Sequence, residues 1–119
     1  MPNKTKRITK DKDFSRVFKE GKASYNKLIG IKALANHLEQ LRIGIIVSNK
    51  VSRKAVERNL LKRQVREIMQ REAERVKKGH DLVIIVLPEA RKRNYQELTV
   101  SIRESLASLK LHTNNEKSS

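Results

Sequence analysis

The chain has 119 residues, with 28 Lys and Arg against 13 Asp and Glu, and no cysteine. This length supports one compact domain with its own core and is too short for two. The formal net charge of +15 exceeds what solubility requires and indicates a polyanionic partner, with nucleic acid ahead of an anionic membrane. Without cysteine, disulfide frameworks, thiolate zinc sites and thiol nucleophiles are excluded.

The domain organisation expected from the sequence is simple. We predict a single domain over residues 1–112 and a disordered polar tail over residues 113–119. No run approaches the roughly 18 apolar residues that a membrane-spanning helix needs, and the opening MPNKTKRITK has no apolar signal core. We therefore expect a cytoplasmic protein with no membrane partner.

The N-terminal part of the chain predicts a short amphipathic helix. Phe14, Val17 and Phe18 follow the i, i+3, i+4 spacing of a helix with one apolar face. Thr9 is a candidate N-cap, and Gly21 is placed to end the helix. Two phenylalanines at this spacing are typical of core residues, but an exposed ring would also suit base stacking. The residues alone leave both roles open.

Two apolar stretches follow and predict β-strands. They run from Tyr25 to Leu34 and from Arg42 to Ser48, and the polar segment 36–40 between them predicts a turn. We expect the two stretches to form a hairpin-like pair, with a further strand if the first stretch is split.

The middle of the chain predicts one long helix and then a buried strand. From about Arg53 to Lys78 there is neither Gly nor Pro, and Gly79 follows two lysines suited to a helix C-terminus. Such a helix is about 38 Å long at roughly 1.5 Å per residue. The run from Leu82 to Leu87 is continuously apolar, as is typical of a strand buried on both faces, and Pro88 ends it.

The C-terminal part predicts a last helix. Asn94 and Glu97 resemble a capping box, and an apolar stripe follows at Leu98, Ile102, Leu106 and Leu109. The resulting order is helix, strand, strand, helix, strand, helix. It favours the α+β class: a single-domain α/β sandwich in which helices pack on a mixed sheet.

The densest positive charge lies between Lys50 and Arg66, where seven cations accompany one acid, Glu57. At about 100° per residue, one side of the helix is polar and basic, and the adjoining side is apolar, with Leu61, Val65, Ile68, Met69 and Val76. Arg58 falls inside the apolar arc, so it either reaches out from the helix start or makes a specific contact at a buried edge. Arg can bind phosphate oxygens bidentately and stack on bases, whereas Lys supplies a point charge. The alternative is a solvated basic face. The candidate RNA-binding residues are Lys50, Arg53, Lys54, Arg58, Asn59, Lys62, Arg63 and Arg66.

Two smaller basic clusters accompany this helix. One contains Lys4, Lys6, Arg7, Lys10 and Lys12, and the other is the run 91–93. Each added phosphate contact would increase RNA affinity through counterion release. A solvated tail and a solvated loop are the corresponding alternatives.

The segment AVERNLLKRQVR, directly after the strand RIGIIVSNK, resembles the helix signature of the bacterial ribonuclease P protein family. The residues that carry the resemblance are Arg58, Asn59, Lys62, Arg63 and Arg66. Near the N-terminus, RITKDKDFSRVF matches the opening of that family, and DLVIIVLPEA follows the helix at the expected place. The resemblance covers roughly residues 7 to 110.

This resemblance implies a fold like domain 2 of a small-subunit ribosomal protein, with a left-handed βαβ crossover through the basic helix, although handedness rules favour the opposite sense. It also implies two RNA surfaces. The basic helix and the loop before it would bind the catalytic RNA subunit of ribonuclease P. A cleft between the first helix and the sheet would hold the single-stranded 5′ leader of precursor tRNA. The residues expected in this leader-binding cleft are Phe14, Phe18, Tyr25 and Lys32.

The chain departs from the family pattern at two places. The family has a second Arg two residues after the first, and here that position is Leu60. The family's first strand usually carries an aromatic residue of the cleft, and the stretch from Ile29 to Lys32 has none. We expect one RNA contact to be missing and leader affinity to be weaker or supplied differently, with Lys32 contacting phosphate.

The residues predict neither a catalytic group nor a metal site within the protein. The three histidines fall in a predicted turn, at a helix end and in the tail, and no two share a motif. The four glycines are isolated and do not form a phosphate-binding loop. As the resemblance implies, the RNA subunit would cleave precursor tRNA with Mg²⁺, and the protein would be a non-catalytic subunit of that endonuclease.

Two other classes explain part of the sequence. A ribosomal-type RNA-binding protein accounts for the charge, the lack of cysteine and a small α/β fold, but not for the RNxxKRxxR spacing after a strand. A DNA-binding protein would place the basic helix in a major groove. It should have a short recognition helix after a tight glycine turn, and the sequence has none. We therefore expect no DNA partner.

Overall fold

The structure is a computed structural model that describes residues 5–112. In chain order the elements are β1 (Lys6–Arg7), α1 (Asp11–Glu20), β2 (Lys22–Tyr25), β3 (Ile29–Ala35), β4 (Leu41–Val47), α2 (Ala55–Glu72), β5 (His80–Val86) and α3 (Tyr95–Ser108). Turns of 3₁₀ helix lie at Ala73–Arg75 and Pro88–Lys92. The tail predicted over residues 113–119 lies outside the described residues, as does Lys4.

The described strands form one mixed sheet in the order β1-β4-β5-β3-β2. β5 lies between β3 and β4, antiparallel to β3 and parallel to β4. The predicted hairpin is therefore wrong, because the turn at residues 36–40 joins two strands that do not pair. The physical reason is the apolar run of β5, whose Leu82, Val83 and Ile84 are fully buried. Such a strand needs covered faces and a neighbour on each side.

Side chains alternate between the two faces of the sheet and divide the core in two. The larger core packs α2 and α3 on one face, where Ile31 and Ile84 belong to the same cluster as Val65 and Ile102. The smaller core packs α1 on the other face, around Val17 and Val83. The α+β sandwich is thus confirmed. The crossover from β4 to β5 runs through α2, and its left-handed sense stays a prediction.

Helix α2 is shorter than predicted, since it ends at Glu72 and not near Lys78. At about 1.5 Å per residue its length is about 27 Å. After one 3₁₀ turn, Val76 is extended and forms an isolated bridge with His112. The helix-forming composition could not show this end, because it depends on a contact with the far C-terminal part of the chain.

Local signals at the other helices are mostly confirmed. The Asn94 side chain accepts a hydrogen bond from the Glu97 backbone at 2.8 Å, and the Glu97 carboxylate accepts one from the Asn94 backbone at 3.1 Å. Helix α1 ends before Gly21 as predicted, but its N-cap is Lys10 and not Thr9, and the Lys10 side chain makes no capping bond. The first β stretch contains most of β3 but only the last residue of β2, so β2 begins three residues before the predicted start. Strand β1 was missed, because two charged residues show no periodicity.

Candidate RNA-binding surfaces

The loop before α2 is held in place by the buried Ser52. The Ser52 hydroxyl donates to a Glu57 carboxylate oxygen at 2.5 Å and accepts from the Lys54 backbone at 3.1 Å. The Arg58 guanidinium donates to the Ser52 carbonyl at 2.9 Å. Helical periodicity left the position of Arg58 open. The structure places it half-buried at the helix start, where it binds the loop.

Glu57, the single acid between residues 50 and 66, binds the Ser52 hydroxyl and a neighbouring arginine. The Ser52 hydrogen bond lowers the pKa of Glu57; burial opposes this, and the charges of Arg91 and Lys54 lower it further. Among the described residues, the one ion pair in this segment joins Glu57 to Arg91 at 3.3 Å. Apart from Lys54, whose charge acts on Glu57, the cations between residues 50 and 66 therefore have no carboxylate partner in the described chain and can bind an external anion.

The predicted RNA-binding residues share the outer surface of the loop and helix. Lys50, Arg53, Lys54, Asn59 and Arg63 are exposed, and the predicted residues Arg58, Lys62 and Arg66 are half-buried. The inner side of α2 is buried, as predicted, at Leu61, Val65, Ile68 and Met69. One side of the helix packs on the sheet, and the other presents positive charge.

A groove of about 750 Å³ runs between β1 and α2 and extends this basic surface. Its lining includes Lys6, Arg7, Arg63 and Arg66. Burial lowers the pKa of the Arg66 guanidinium, and the charge of Arg7 lowers it further. Like charges held this close favour an anion between them. The sequence suggested the N-terminal cluster only as a possible extension; the parallel pairing of β1 with β4 brings it beside α2.

Two arginines of the second small basic cluster, residues 91–93, have different surroundings in the structure. Arg91 lies beside the α2 loop and helps line a shallow depression of about 340 Å³ with Lys50, Arg53 and Lys54. Arg93 instead binds Glu89 and Glu97, each at 3.5 Å. Arg91 therefore joins the basic surface, whereas Arg93 stabilises the start of α3.

The four predicted cleft residues lie on the α1 side of the sheet. Phe14 is half-buried and packs into the smaller core, with its ring against Gly44. Phe18 is 38% exposed, and the Lys32 ammonium lies 4.7 Å from the centroid of its ring. Tyr25 is 54% exposed. Phe14 is thus mainly a core residue, while Phe18 and Tyr25 leave ring surface open.

The stretch from Ile29 to Lys32 lacks an aromatic residue, but an aromatic ring covers it. Tyr25 pairs with Gly30 across β2 and β3, and a Cβ atom at Gly30 would collide with the Tyr25 ring. In the same row of the sheet lie Ile85 and Ile46, both half-buried. Beside α1 the sheet therefore has a partly exposed apolar surface with the Tyr25 ring at its edge. This surface forms the floor of the candidate cleft.

The described residues contain neither a metal-binding cluster nor a membrane-spanning helix. Between residues 5 and 112, no three His, Asp or Glu side chains come close enough together to hold a metal ion. Within the same range, no helix combines the length and the apolar content needed to cross a bilayer. A cytoplasmic location stays a prediction.

The chain is a small α+β sandwich. One helix carries cations that have no carboxylate partner among the described residues, and aromatic rings are exposed beside another helix. These are the features of an RNA-binding protein. The ribonuclease P family model matches residues 1–110, and the chain belongs to this family.

Similar proteins of known sequence span nearly the whole chain. The ribonuclease P protein component of Pseudanabaena sp. is 38% identical over 116 residues, which cover 96% of this chain and 99% of that protein. The ribonuclease P protein component of Clostridioides difficile is 36% identical over 102 residues, covering 85% and 89%.

Solved structures agree with the fold. The RNase P protein of Staphylococcus aureus superposes with a TM-score of 0.83 at 28% identity, covering 92% of this chain and 100% of that one. The RNase P protein of Thermotoga maritima gives a TM-score of 0.79 at 31% identity, covering 87% and 96%.

Proposed function

We propose that this chain is the protein subunit of ribonuclease P. In this proposal it binds the catalytic RNA subunit through α2 and the loop before it, and the 5′ leader of precursor tRNA in the cleft beside α1. The observation that carries the proposal is the set of cations on α2 without carboxylate partners among the described residues, in a chain that belongs to the ribonuclease P family.

The two surfaces are adjacent, which supports a joint role. Ile46 in the cleft floor is followed by Val47, the last residue of β4, and the basic loop begins at Ser48. RNA bound to the loop and a single strand in the cleft would therefore lie at the same end of the sheet. Phosphate groups from both RNAs would approach there, and the chain's positive charge would reduce their repulsion.

Each part of the protein has a distinct task in this mechanism. The exposed arginines and lysines of α2 bind phosphates and orient the RNA subunit. Phe18 and Tyr25 offer ring faces to unstacked leader bases, and Lys32 offers a charge to a leader phosphate. The RNA subunit with its Mg²⁺ ions would supply the activated water for hydrolysis. The products would be the free leader and mature tRNA with a 5′-phosphate.

The first test is cleavage of precursor tRNA by the cognate ribonuclease P RNA at low magnesium, with and without the protein. We expect strong stimulation and a correct mature 5′ end. RNA binding without stimulation would contradict the proposal and favour a ribosomal-type protein. Duplex DNA bound more tightly than precursor tRNA at the same salt concentration would instead favour a DNA-binding protein.

The assignment of the basic helix is tested by charge-removing variants. Arg63→Ala should weaken assembly with the RNA subunit and reduce the magnitude of the slope of log K against log salt by about 1. Lys78→Ala is the control, because it removes an exposed charge next to β5 at the opposite end of the sheet. Equal effects from the two variants would mean that only overall charge matters.

A further inference from the structure

Two aliphatic side chains are exposed in the first two turns of the basic helix. Val56 is 79% exposed and Leu60 is 47% exposed, and they lie one turn apart on α2. Residues at i and i+4 have Cβ atoms about 5–6 Å apart, so the two side chains form one patch. Leu61 and Val65 face the core instead. We call Val56 and Leu60 the α2 apolar pair.

Polar residues of the RNA-binding surface surround this pair. Arg53 lies in the loop just before α2, Asn59 follows Val56 by three residues on the helix, and Arg63 follows Leu60 by three. These three neighbours are exposed as well. Leu60 thus interrupts the basic arc with a side chain that cannot bind phosphate. Single exposed apolar residues are common on proteins, but two that lie one helical turn apart inside the most basic segment form a local surface of different chemistry.

We propose that the α2 apolar pair packs against an unstacked nucleobase, or its ribose, of the RNA that the basic helix binds, while the surrounding cations hold the flanking phosphates. The inference rests on the proposed function and adds a contact of a second kind to it. Base faces are apolar and can pack on aliphatic groups, and unpaired nucleotides present such faces to proteins. The RNA would thus be recognised by the shape of a looped or bulged nucleotide as well as by charge.

The size and the charge of the patch favour a nucleotide over a protein partner. The exposed parts of two such side chains amount to on the order of 150 Å². A stable protein–protein interface buries about 800 Å² on each partner. A second copy of this chain would also bring its own arginines against Arg53 and Arg63, and like charges repel.

The test is equilibrium binding to the cognate ribonuclease P RNA over a series of salt concentrations. Leu60→Ala and Val56→Ala should each weaken binding by about fivefold to tenfold, as expected for losing two or three partly buried carbon atoms. The slope of log K against log salt should not change, because no phosphate contact is lost. Val56→Thr, which keeps the side-chain shape, should weaken binding in the same way.

Val100→Ala is the matched control. Val100 is 49% exposed on α3, where it lines a depression with residues 26–28 and with none of α2, and its substitution should leave RNA affinity unchanged. Thermal unfolding of each variant would show whether the fold is intact. If an alanine variant were unstable, RNA binding by Val56→Thr would still test the contact.

The outcomes separate this inference from the proposed function. Unchanged affinity in all three patch variants, with weaker binding by Arg63→Ala, would overturn the inference and leave the basic helix assigned to RNA. Unchanged affinity in Arg63→Ala as well would overturn that assignment too. If sedimentation showed that the free protein is a dimer and that Leu60→Ala makes it monomeric, the occupant would be a second copy of the chain, and the inference would be wrong.

Discussion

Arg42 on β4 binds both carboxylate oxygens of Asp81 on β5. Arg42 Nε donates to Asp81 Oδ1 at 2.7 Å, and an η nitrogen donates to Oδ2 at 2.6 Å. Asp81 is 1% exposed and also accepts a hydrogen bond from the Asn36 amide at 2.8 Å. The same guanidinium lies 3.6 Å from Asp13 in α1. This network joins two central strands to the helix that forms one wall of the cleft.

Removing the charge of Asp81 should therefore destabilise the protein. Asp81→Asn leaves the Arg42 guanidinium without its buried partner, and we expect the free energy of unfolding to fall by about 3 kcal/mol. Urea unfolding measures this change. Glu67→Gln is the control, because Glu67 is exposed and lies 3.7 Å from Arg71, an ion pair worth about 0.5 kcal/mol or less. A similar small effect in both variants would mean that the buried pair contributes little.

The stability of the protein should fall in acid through Asp81 and Glu72. Burial raises the pKa of each carboxyl, but hydrogen bonds from Arg42 and Asn36 to Asp81, and from Arg103 and His112 to Glu72, outweigh it and lower both pKa values. A carboxyl with a lowered pKa in the folded state stabilises above its ordinary value, which is 3.8 for Asp81 and 4.5 for Glu72. That stabilisation is lost as the pH falls through the folded-state pKa.

Urea unfolding at a series of pH values between about 6 and 2 tests this expectation, since these are the pH values over which such carboxyls gain protons. The double variant Asp81→Asn, Glu72→Gln should be less stable at neutral pH and should show a shallower loss of stability in acid. An unchanged acid slope in the double variant would assign acid unfolding to other carboxyls.

Gly44 allows the Phe14 ring to lie directly on β4. A Cβ atom at Gly44 would lie 2.5 Å from Phe14 Cε1 and 2.6 Å from Cζ. Gly44→Ala should push α1 away from the sheet and lower the free energy of unfolding by about 1–3 kcal/mol. In the control Gly30→Ala, the new methyl group meets the exposed ring of Tyr25, which can turn away, so the loss should be smaller. Urea unfolding compares the two, and a larger loss at Gly30 would contradict this reasoning.

Substitutions at Phe18 and at its neighbour Val17 should have different effects, the first on leader binding and the second on stability. Phe18 is partly exposed, and Phe18→Ala should weaken binding of precursor tRNA by about 1–3 kcal/mol through lost base stacking, with little effect on tRNA lacking a leader. Val17 is fully buried, and Val17→Ala should lower stability by about 2 kcal/mol without changing the preference for the leader. Binding of both RNAs to the assembled enzyme measures this preference. The cleft assignment fails if Phe18→Ala weakens binding of both RNAs equally.

Local patterns accounted for much of the fold. The capping box at Asn94 and the apolar stripe of α3 act between residues three or four apart, and both are confirmed. The strand predicted over residues 82–87 is also confirmed as β5, and between residues 82 and 86 it is buried on both faces except at Ile85, which is half-buried; Leu87 lies beyond the strand. Strand order was not predictable in this way. Nothing near residues 36–40 shows that β5, about forty residues later, lies between the two strands that this turn connects.

The sequence by itself determined the class of protein and the basic helix as its candidate RNA-binding element, since charge density and residue spacing can be counted along the chain. Only the tertiary structure decided that α2 ends at Glu72, that Arg7 lies near Arg66, and that the Tyr25 ring covers Gly30. These features depend on contacts between separate elements. Such contacts form when apolar faces are buried together, and that joint burial sets which side chains become neighbours.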